Sequence, residues 1–220
     1  VLPARVGCHE TTVLRHDENR GVAHALNTGL EWILARGYDA VARLDAGDLN
    51  EPGRMAAQRS FLEQHSNVAM VGAWTRHVDA SLRTLYTTRY PVSADDIRRC
   101  FHYRSAFSHP ACMIRAGVFE RVGRYGAEYA LGEDYELFWR VARTFACANL
   151  PTVLVTRVED PRSLTHSRRG PAARMRILLQ LRHFTWGRLD CWLGLLRSVA
   201  LLALPRRAAL LLKRASGTIG

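Results

Sequence analysis

The sequence lacks any uninterrupted apolar stretch of about 18 residues, so nothing in it reads as a membrane span. It also lacks the basic and apolar regions of a signal peptide, and it starts at Val1 without an initiator Met, which reads as the start of a fragment. Cysteine is sparse: Cys8, Cys100, Cys112, Cys147 and Cys191 are scattered, odd in number, and form no CxxC or Cys/His cluster. That spacing excludes a structural zinc site and favours reduced, mostly packed thiols in a reducing compartment. No GxxxxGK[ST] phosphate loop is present, which disfavours kinase or P-loop chemistry, and no RNP, zinc-finger or clear helix-turn-helix pattern supports a nucleic-acid partner.

What is present is the composition of a folded protein, with 48% hydrophobic and 23% charged residues over 220 positions, together with a formal charge of +11. That charge implies attraction to an anionic partner without choosing among a nucleotide, a nucleic acid and a membrane surface. The hydrophobic periodicity predicts strands at Thr11–Arg15, Ala40–Leu44 (buried), Val68–Val78, Thr84–Tyr90, Ala111–Ile114 and Val153–Val158. Helices are predicted over Asn19–Arg36, from Pro52 to about Gln64, from Ser93 to about Phe101, and over Gly132–Phe145. Alternating strands and helices up to about residue 160 are the pattern of an α/β sheet covered on both faces. From Pro161 the chain turns basic, Leu/Arg-rich and helical, which marks a boundary.

The stretch RLDAGDLNEPGR, Arg43 to Arg54, sets Asp45 and Asp48 three positions apart at the end of a predicted strand. Ligands of open α/β sheets bind at such strand ends, and a cation held with a diphosphate commonly needs only one or two protein carboxylates. Asp and Gly are also ordinary turn residues, so the loop alone admits both readings.

The surrounding segment, Glu18 to Met55, resembles the central signature of family 2 glycosyltransferases of the GT-A fold, an N-x-G-x-x-x-A-x-N-x-G helix leading to a D-A-D-D strand end and Pro-x-Arg. Asn19, Gly21, Ala25, Asn27, Gly29, Asp45, Ala46, Asp48, Pro52 and Arg54 match in order and spacing. Residues His109 to Ala142 resemble the family's acceptor-side segment with its Glu-Asp pair, and Pro151 to Thr165 its closing strand and loop.

The resemblance implies an α/β GT-A (Rossmann-like) fold, a mixed, mostly parallel sheet flanked by helices, occupying residues 1–166. A basic helical appendage follows over 167–220. It implies transfer of a sugar from a nucleotide-sugar donor to an acceptor hydroxyl with inversion, in surface polysaccharide or glycolipid synthesis, the acceptor being a glycan or a lipid-linked glycan. By register, Asp134 is the general base, Asn19, Gly21, Asn27, Asp45 and Gly47 bind the donor, His109 and Glu133 lie on the acceptor side, and Asp45 with Asp48 hold a divalent cation, Mn²⁺ or Mg²⁺. In isolation Glu133 and Asp134 equally suit a helix N-terminus, where acids are favoured. Phe138 and Trp139 read as core, and Arg140 as a partner of Glu136.

Two positions depart from the family pattern. Gly47 stands where the family typically has its metal-binding carboxylate, so either a neighbouring Asp takes over the ion, or the glycine admits close approach of the donor, or metal dependence is lost. The family's first nucleotide-binding βαβ unit needs ~30 residues and does not fit before Thr11. The expectation is therefore a fragment inactive alone, with an unpaired sheet edge. The alternative to an enzyme is a degenerate, non-catalytic module that binds sugar nucleotide or anionic lipid. The tail, Leu189 to Arg214, either packs back on the domain or lies among anionic headgroups, with a cytoplasmic location at the inner face of the plasma membrane.

Overall fold

A computed structural model of the chain describes residues 3, 5–129, 131–159 and 169–203. An exposed two-stranded hairpin, β1 (Arg5–Val6) with β2 (His9–Glu10), comes first. Then follow α1 (Val22–Leu34), β3 (Ala40–Ala42), β4 (Leu49–Asn50), α2 (Arg54–Gln64), β5 (Val68–Val78), β6 (Thr84–Thr88) and α3 (Ala94–Cys100). The series continues with β7 (Met113–Arg115), α4 (Val118–Val122), α5 (Glu133–Thr144) and β8 (Ala146–Val158). Two helices, α6 (Arg169–Arg182) and α7 (Leu189–Ala203), complete the described residues.

β5 is the centre of the sheet. Its continuous apolar run is buried on both faces, as a strand covered by helices on each side must be. Because side chains alternate across a strand, Met70 and Ile114 join the cluster formed with α1, α3 and α5, while Val71 and Met113 meet Leu62 of α2 on the opposite face. The strand order is β3-β7-β5-β8-β4, with β6 also paired to β5. The β5–β8 ladder is parallel; the pairings β3–β7, β5–β7, β5–β6 and β4–β8 are antiparallel. The sheet is therefore mixed, as expected, but its parallel character resides in one long ladder rather than in most of its pairings. β3, expected as a buried strand, is terminal in the sheet and only half-buried, its outer edge unpaired among the described residues.

Three other elements differ from expectation, each for a local reason. Residues 11–15 form no strand, because no ladder partner faces them among the described residues. Pro110 opens a 3-10 turn over His109–Ala111, which delays the strand expected from Ala111 until Met113. β8 begins at Ala146, well before Val153; its register with β5 shifts between Ala73 and Trp74, and this irregularity accommodates Pro151. Helix α3 follows its sequence signals closely: Ser93 Oγ accepts from the Asp96 N–H at 3.2 Å, with Asp95 and Asp96 in the first turn and Arg98 and Arg99 in the last.

The basic segment packs back on the sheet domain over residues 169–203. Leu179 joins the main core, Gln180 Nε2 donates to the His102 carbonyl at 2.6 Å, and Cys191 Sγ lies 3.4 Å from His102 Nδ1. Contact with α7 is close because it presents glycine: a Cβ on Gly194 would lie 1.8 Å from the His102 carbonyl oxygen. Gly194→Ala is thus expected to cost about 1–3 kcal/mol of stability by overpacking, read as a lower midpoint in thermal or urea unfolding. No helix among the described residues is long and apolar enough to cross a membrane. Residues 160–168, including most of the basic boundary segment, and Pro205-Arg206-Arg207 with the rest of the tail lie outside the described residues.

Candidate functional site

The carboxylate loop is held in place from beneath by one buried arginine. Arg54 is 1% exposed; its Nε donates to Gln58 Oε1 at 2.9 Å, Nη1 to Asn50 Oδ1, and Nη2 to the carbonyls of Arg43 at 2.8 Å and Cys112 at 3.3 Å. Gln58 extends the strut to the carbonyls of Val71 and Ala111. The Arg of the Pro-x-Arg step therefore fixes the path of residues 43–50 against β5 and β7. Burial lowers its pKa from the ordinary value, and removing it would take the donor from Gln58 Oε1 and the Arg43 carbonyl, whereas the Cys112 carbonyl also accepts from the Arg43 N–H at 3.0 Å.

Above this strut the chain turns at residues 45–48, with the Asp48 N–H donating to the Asp45 carbonyl at 3.2 Å. Gly47 sits in this turn with φ +90° and open space around its Cα, so backbone conformation explains the glycine. Asp45 pairs with Arg43, two residues back in the chain just after β3, at 2.6 Å. Asp48 points inward: its side chain is 7% exposed, and its Oδ2 lies 3.2 Å from Arg157 Nε of β8 without the alignment of a hydrogen bond. Burial raises the Asp48 pKa, Arg157 opposes the rise, and the negative charge of Asp45 adds to it.

Asp134 lies in the first turn of α5, partly exposed, with Oδ1 accepting from the Tyr135 N–H at 2.8 Å. Its second oxygen takes no hydrogen bond among the described residues. Glu133 is buried and its pKa is raised, first by burial and then by Asp134; its Oε2 accepts from the Gly132 N–H at 3.0 Å. His109 hydrogen-bonds Tyr125 Oη through Nε2 at 3.0 Å. Its pKa is lowered by burial, with Asp134, Arg43, Asp45 and Arg157 all within electrostatic reach. Asp45, Asp134, Arg43 and Arg157 are thus gathered into one charged group around His109, and Glu133 lies within electrostatic reach of Asp45 and Asp134.

Asn27 and the Asn19–Gly21 turn are placed differently. The Asn27 amide is taken up by the main chain of Tyr125, Nδ2 donating to the carbonyl at 2.8 Å and Oδ1 accepting from the N–H at 3.0 Å. Its visible contribution is to hold Tyr125, and through it His109. Asn19 Oδ1 accepts from the Gly21 N–H at 3.0 Å in the exposed turn before α1, and no hydrogen bond or ion pair among the described residues joins Asn19 or Gly21 to the charged group around His109. Phe138 and Trp139 are core, and Arg140 pairs with Glu136 at 2.7 Å, as their spacing suggested. Arg43, Arg157 and Tyr125 were missed by sequence reasoning; the i, i+2 spacing of Arg43 and Asp45 was the available signal for the first.

No group of three or more His, Cys, Asp or Glu side chains that could hold a metal occurs among the described residues. The fit to a cation rests on the two aspartates alone: both are hard oxygen donors, near enough to influence each other's charge, and Asp48 Oδ2 is buried without a hydrogen bond. A pair of carboxylates suits a Mg²⁺ or Mn²⁺ ion that completes its shell with phosphate and water. A cavity of about 820 Å³ beside α2, lined by residues of β3, β7 and α4 such as Ala42, Met113 and Arg121 together with Met55 and Arg59, contains neither Asp45 nor Asp48.

Comparison with known proteins gives a consistent picture. Residues 5–123 match the family described as "Glycosyl transferase family 2". The chain is 31% identical over 155 residues to the amylovoran biosynthesis glycosyltransferase AmsE of Erwinia amylovora, covering 70% of this chain and 56% of that protein. It is 30% identical over 141 residues to the UDP-Gal:alpha-D-GlcNAc-diphosphoundecaprenol beta-1,3-galactosyltransferase of Escherichia coli, covering 63% and 50%. The chain thus spans about half the length of the curated relatives it matches. Among solved structures, the mannosyltransferase PcManGT from Pyrobaculum calidifontis, in complex with GDP-Man and Mn²⁺, superposes with a TM-score of 0.54 at 19% identity over 93% of this chain and 57% of that one. That likeness concerns the fold.

Proposed function

The chain belongs to glycosyl transferase family 2, and from this premise we propose that the cleft of Asp45, Asp48, His109 and Asp134 transfers a sugar from a nucleotide-sugar donor to an acceptor hydroxyl with inversion. The observation that carries the reading is that Asp45 and Asp134, nearly 90 residues apart in sequence, both come within electrostatic reach of His109 together with Arg43 and Arg157, while Asp48 approaches Arg157 at 3.2 Å. In this reading residues 1–166 are a partial GT-A domain and 167–220 its basic helical tail.

The chemistry requires one displacement. The acceptor oxygen attacks the anomeric carbon from the face opposite the leaving group, the glycosidic C–O bond to the diphosphate breaks with its electron pair going to phosphate, and the acceptor proton goes to a base. Asp134 takes that proton on its free Oδ2, while Oδ1 stays tied to the Tyr135 N–H. Arg43 and Arg157, positioned by Asp45 and Asp48, face the charge that develops on the diphosphate. A divalent cation held by Asp45 and Asp48 would supply further neutralisation of that charge. Glu133 and His109 line the acceptor side, His109 fixed by Tyr125. Asn19, Gly21 and Gly47 border the donor, and Asn27 holds the wall through Tyr125. The relatives in amylovoran synthesis and in galactosyl transfer to GlcNAc-diphosphoundecaprenol support a glycan or lipid-linked acceptor for surface polysaccharide; a protein that is cytoplasmic and peripheral at the inner face of the plasma membrane suits such an acceptor.

Removal of divalent cations tests the donor loop. With the full-length protein carrying this chain, chelator is expected to lower sugar transfer at least about 100-fold, the loss of several kcal/mol of charge stabilisation, and Mn²⁺ or Mg²⁺ to restore it. Unchanged turnover in chelator would assign the neutralising role to Arg43 and Arg157 alone.

A further inference from the structure

Helix α7 is built inside out. The face that meets the domain carries Cys191, Gly194 and Ser198, small residues that bring the helix close to His102. The face turned to solvent carries Leu189, Trp192, Leu193, Leu196 and Val199, with Leu189 71% and Leu196 64% exposed. These positions recur at three- and four-residue intervals, so they form one continuous apolar stripe. A soluble surface gains nothing from such a stripe; exposed apolar patches of this kind mark interaction sites. At the α6–α7 turn the stripe is extended by Trp186, 79% exposed, packed edge-on to Phe184 and Trp192 with ring centres 5.5 and 5.6 Å apart.

The same part of the sequence is strongly basic, with six arginines falling within residues 169–203. Residues 167–220 contain eleven Lys and Arg against the single acid Asp190, so nearly all of the chain's net charge lies in its last quarter. Beside Trp186, the turn residues Thr185 and Arg188 help line a notch of about 120 Å³ that also contains Arg98, Arg143, His102 and His183. Arg98 and Arg188 have acid partners, Asp95 at 3.0 Å and Asp190 at 3.1 Å, whereas the contact of Arg143 is His183 Nδ1 at 2.8 Å. Burial and the charges of Arg143, Arg182, His102 and Arg140 push His183 down to about 4, so the notch holds more cation than its protein partners balance. His183 Nε2 is buried there without a hydrogen bond among the described residues.

We propose that the α6–α7 hairpin docks on an anionic lipid bilayer, the Trp186–Leu189–Trp192–Leu193–Leu196 face entering the headgroup boundary and the Arg143–Arg188 notch receiving a lipid phosphate. An apolar face with tryptophans at one end and arginines beside it is the pattern of an interfacial helix, and neither a nucleic acid nor a small soluble anion would use the leucines. Docking would also bear on the active cleft. Met175 and Leu179 of α6 pack beside Gly132, immediately before Glu133 and Asp134, so the hairpin that meets the membrane supports the helix end carrying the base. The inference rests on the proposed transferase reading only for this consequence.

Flotation of the 220-residue chain tests it without donor or acceptor, so a failure here leaves the transferase reading intact and a failed transfer assay leaves docking intact. Vesicles of phosphatidylcholine and phosphatidylglycerol in equal parts should carry the chain upward at low salt, vesicles of phosphatidylcholine alone much less, and high salt should weaken the anionic binding. The double variant Leu193→Glu/Leu196→Glu, at exposed positions, should lower the bound fraction tenfold or more, about the effect of keeping one leucine out of the apolar phase, with an unchanged circular dichroism melt. Arg143→Ala/Arg188→Ala should remove the preference for phosphatidylglycerol. No flotation with either vesicle, flotation indifferent to the two glutamates, or a dimer in light scattering that the glutamates dissociate would each overturn the proposal; the last would assign the face to a second copy of the chain.

Discussion

Asp134→Asn in the full-length protein is expected to reduce the rate of sugar transfer about 10²–10⁴-fold, the usual contribution of a positioned general base. The amide keeps the size of the side chain, and its oxygen still accepts from the Tyr135 N–H, so α5 retains its first turn and the melting temperature should hardly move. Donor binding should be retained, because the donor loop at Asp45 belongs to a different part of the cleft. The loss should therefore appear in kcat with KM for the donor little changed. A non-catalytic binding module would likewise keep its nucleotide affinity but would have no turnover to lose in the parent protein. Asp134→Asn thus separates the two readings in one pair of measurements, transfer rate and donor affinity.

The second large effect is structural. Arg54→Ala is expected to destabilise the chain by about 3–5 kcal/mol, the range for removing one member of a buried polar network. Its guanidinium, on a residue 1% exposed, donates to Gln58, Asn50 and two main-chain carbonyls; alanine would leave a cavity and take the donor from Gln58 Oε1 and the Arg43 carbonyl, while the Cys112 carbonyl keeps the Arg43 N–H. Arg54→Lys should recover only part of the loss, because an ammonium cannot reproduce the planar fork that reaches the carbonyls of Arg43 and Cys112. Urea unfolding with both variants checks the magnitude and order. The motif arginine thereby acts on the donor loop through the backbone, at residues 43 and 50, and its loss should weaken donor binding even at temperatures where the protein stays folded.

Much of this architecture is legible in the sequence, for identifiable reasons. β5 is recognisable because the apolar run from Val68 to Trp74 reads as a strand buried on both faces. α3 is recognisable because Ser93 and the acids behind it meet the requirements of a helix start. The order Asn19, Gly21, Asn27, Asp45 and Arg54 carries the family because spacing along one helix and one strand survives in a linear sequence. What spacing does not carry is contact across the sheet. The approach of Arg157 to Asp48 depends on β8 lying beside β4, and the hold of Asn27 on Tyr125 joins residues 98 positions apart. The early start of β8 was hidden by Asn149 and Pro151, whose breaker character is overridden by the irregular register against β5. Gly47 reads as a missing ligand in sequence and as a positive-φ turn residue in structure. Gly47→Asp would therefore have to adopt a backbone conformation that a side chain disfavours before it could offer a carboxylate.

The most direct test of the central claim is the anomeric configuration of the product formed by the full-length protein from a panel of UDP-, GDP- and dTDP-sugars, with the membrane lipid fraction as acceptor. A single displacement at a cleft with one base predicts a product whose anomeric configuration is opposite to that of the donor. Retention of configuration, or donor binding with no product from any member of the panel, would contradict the account.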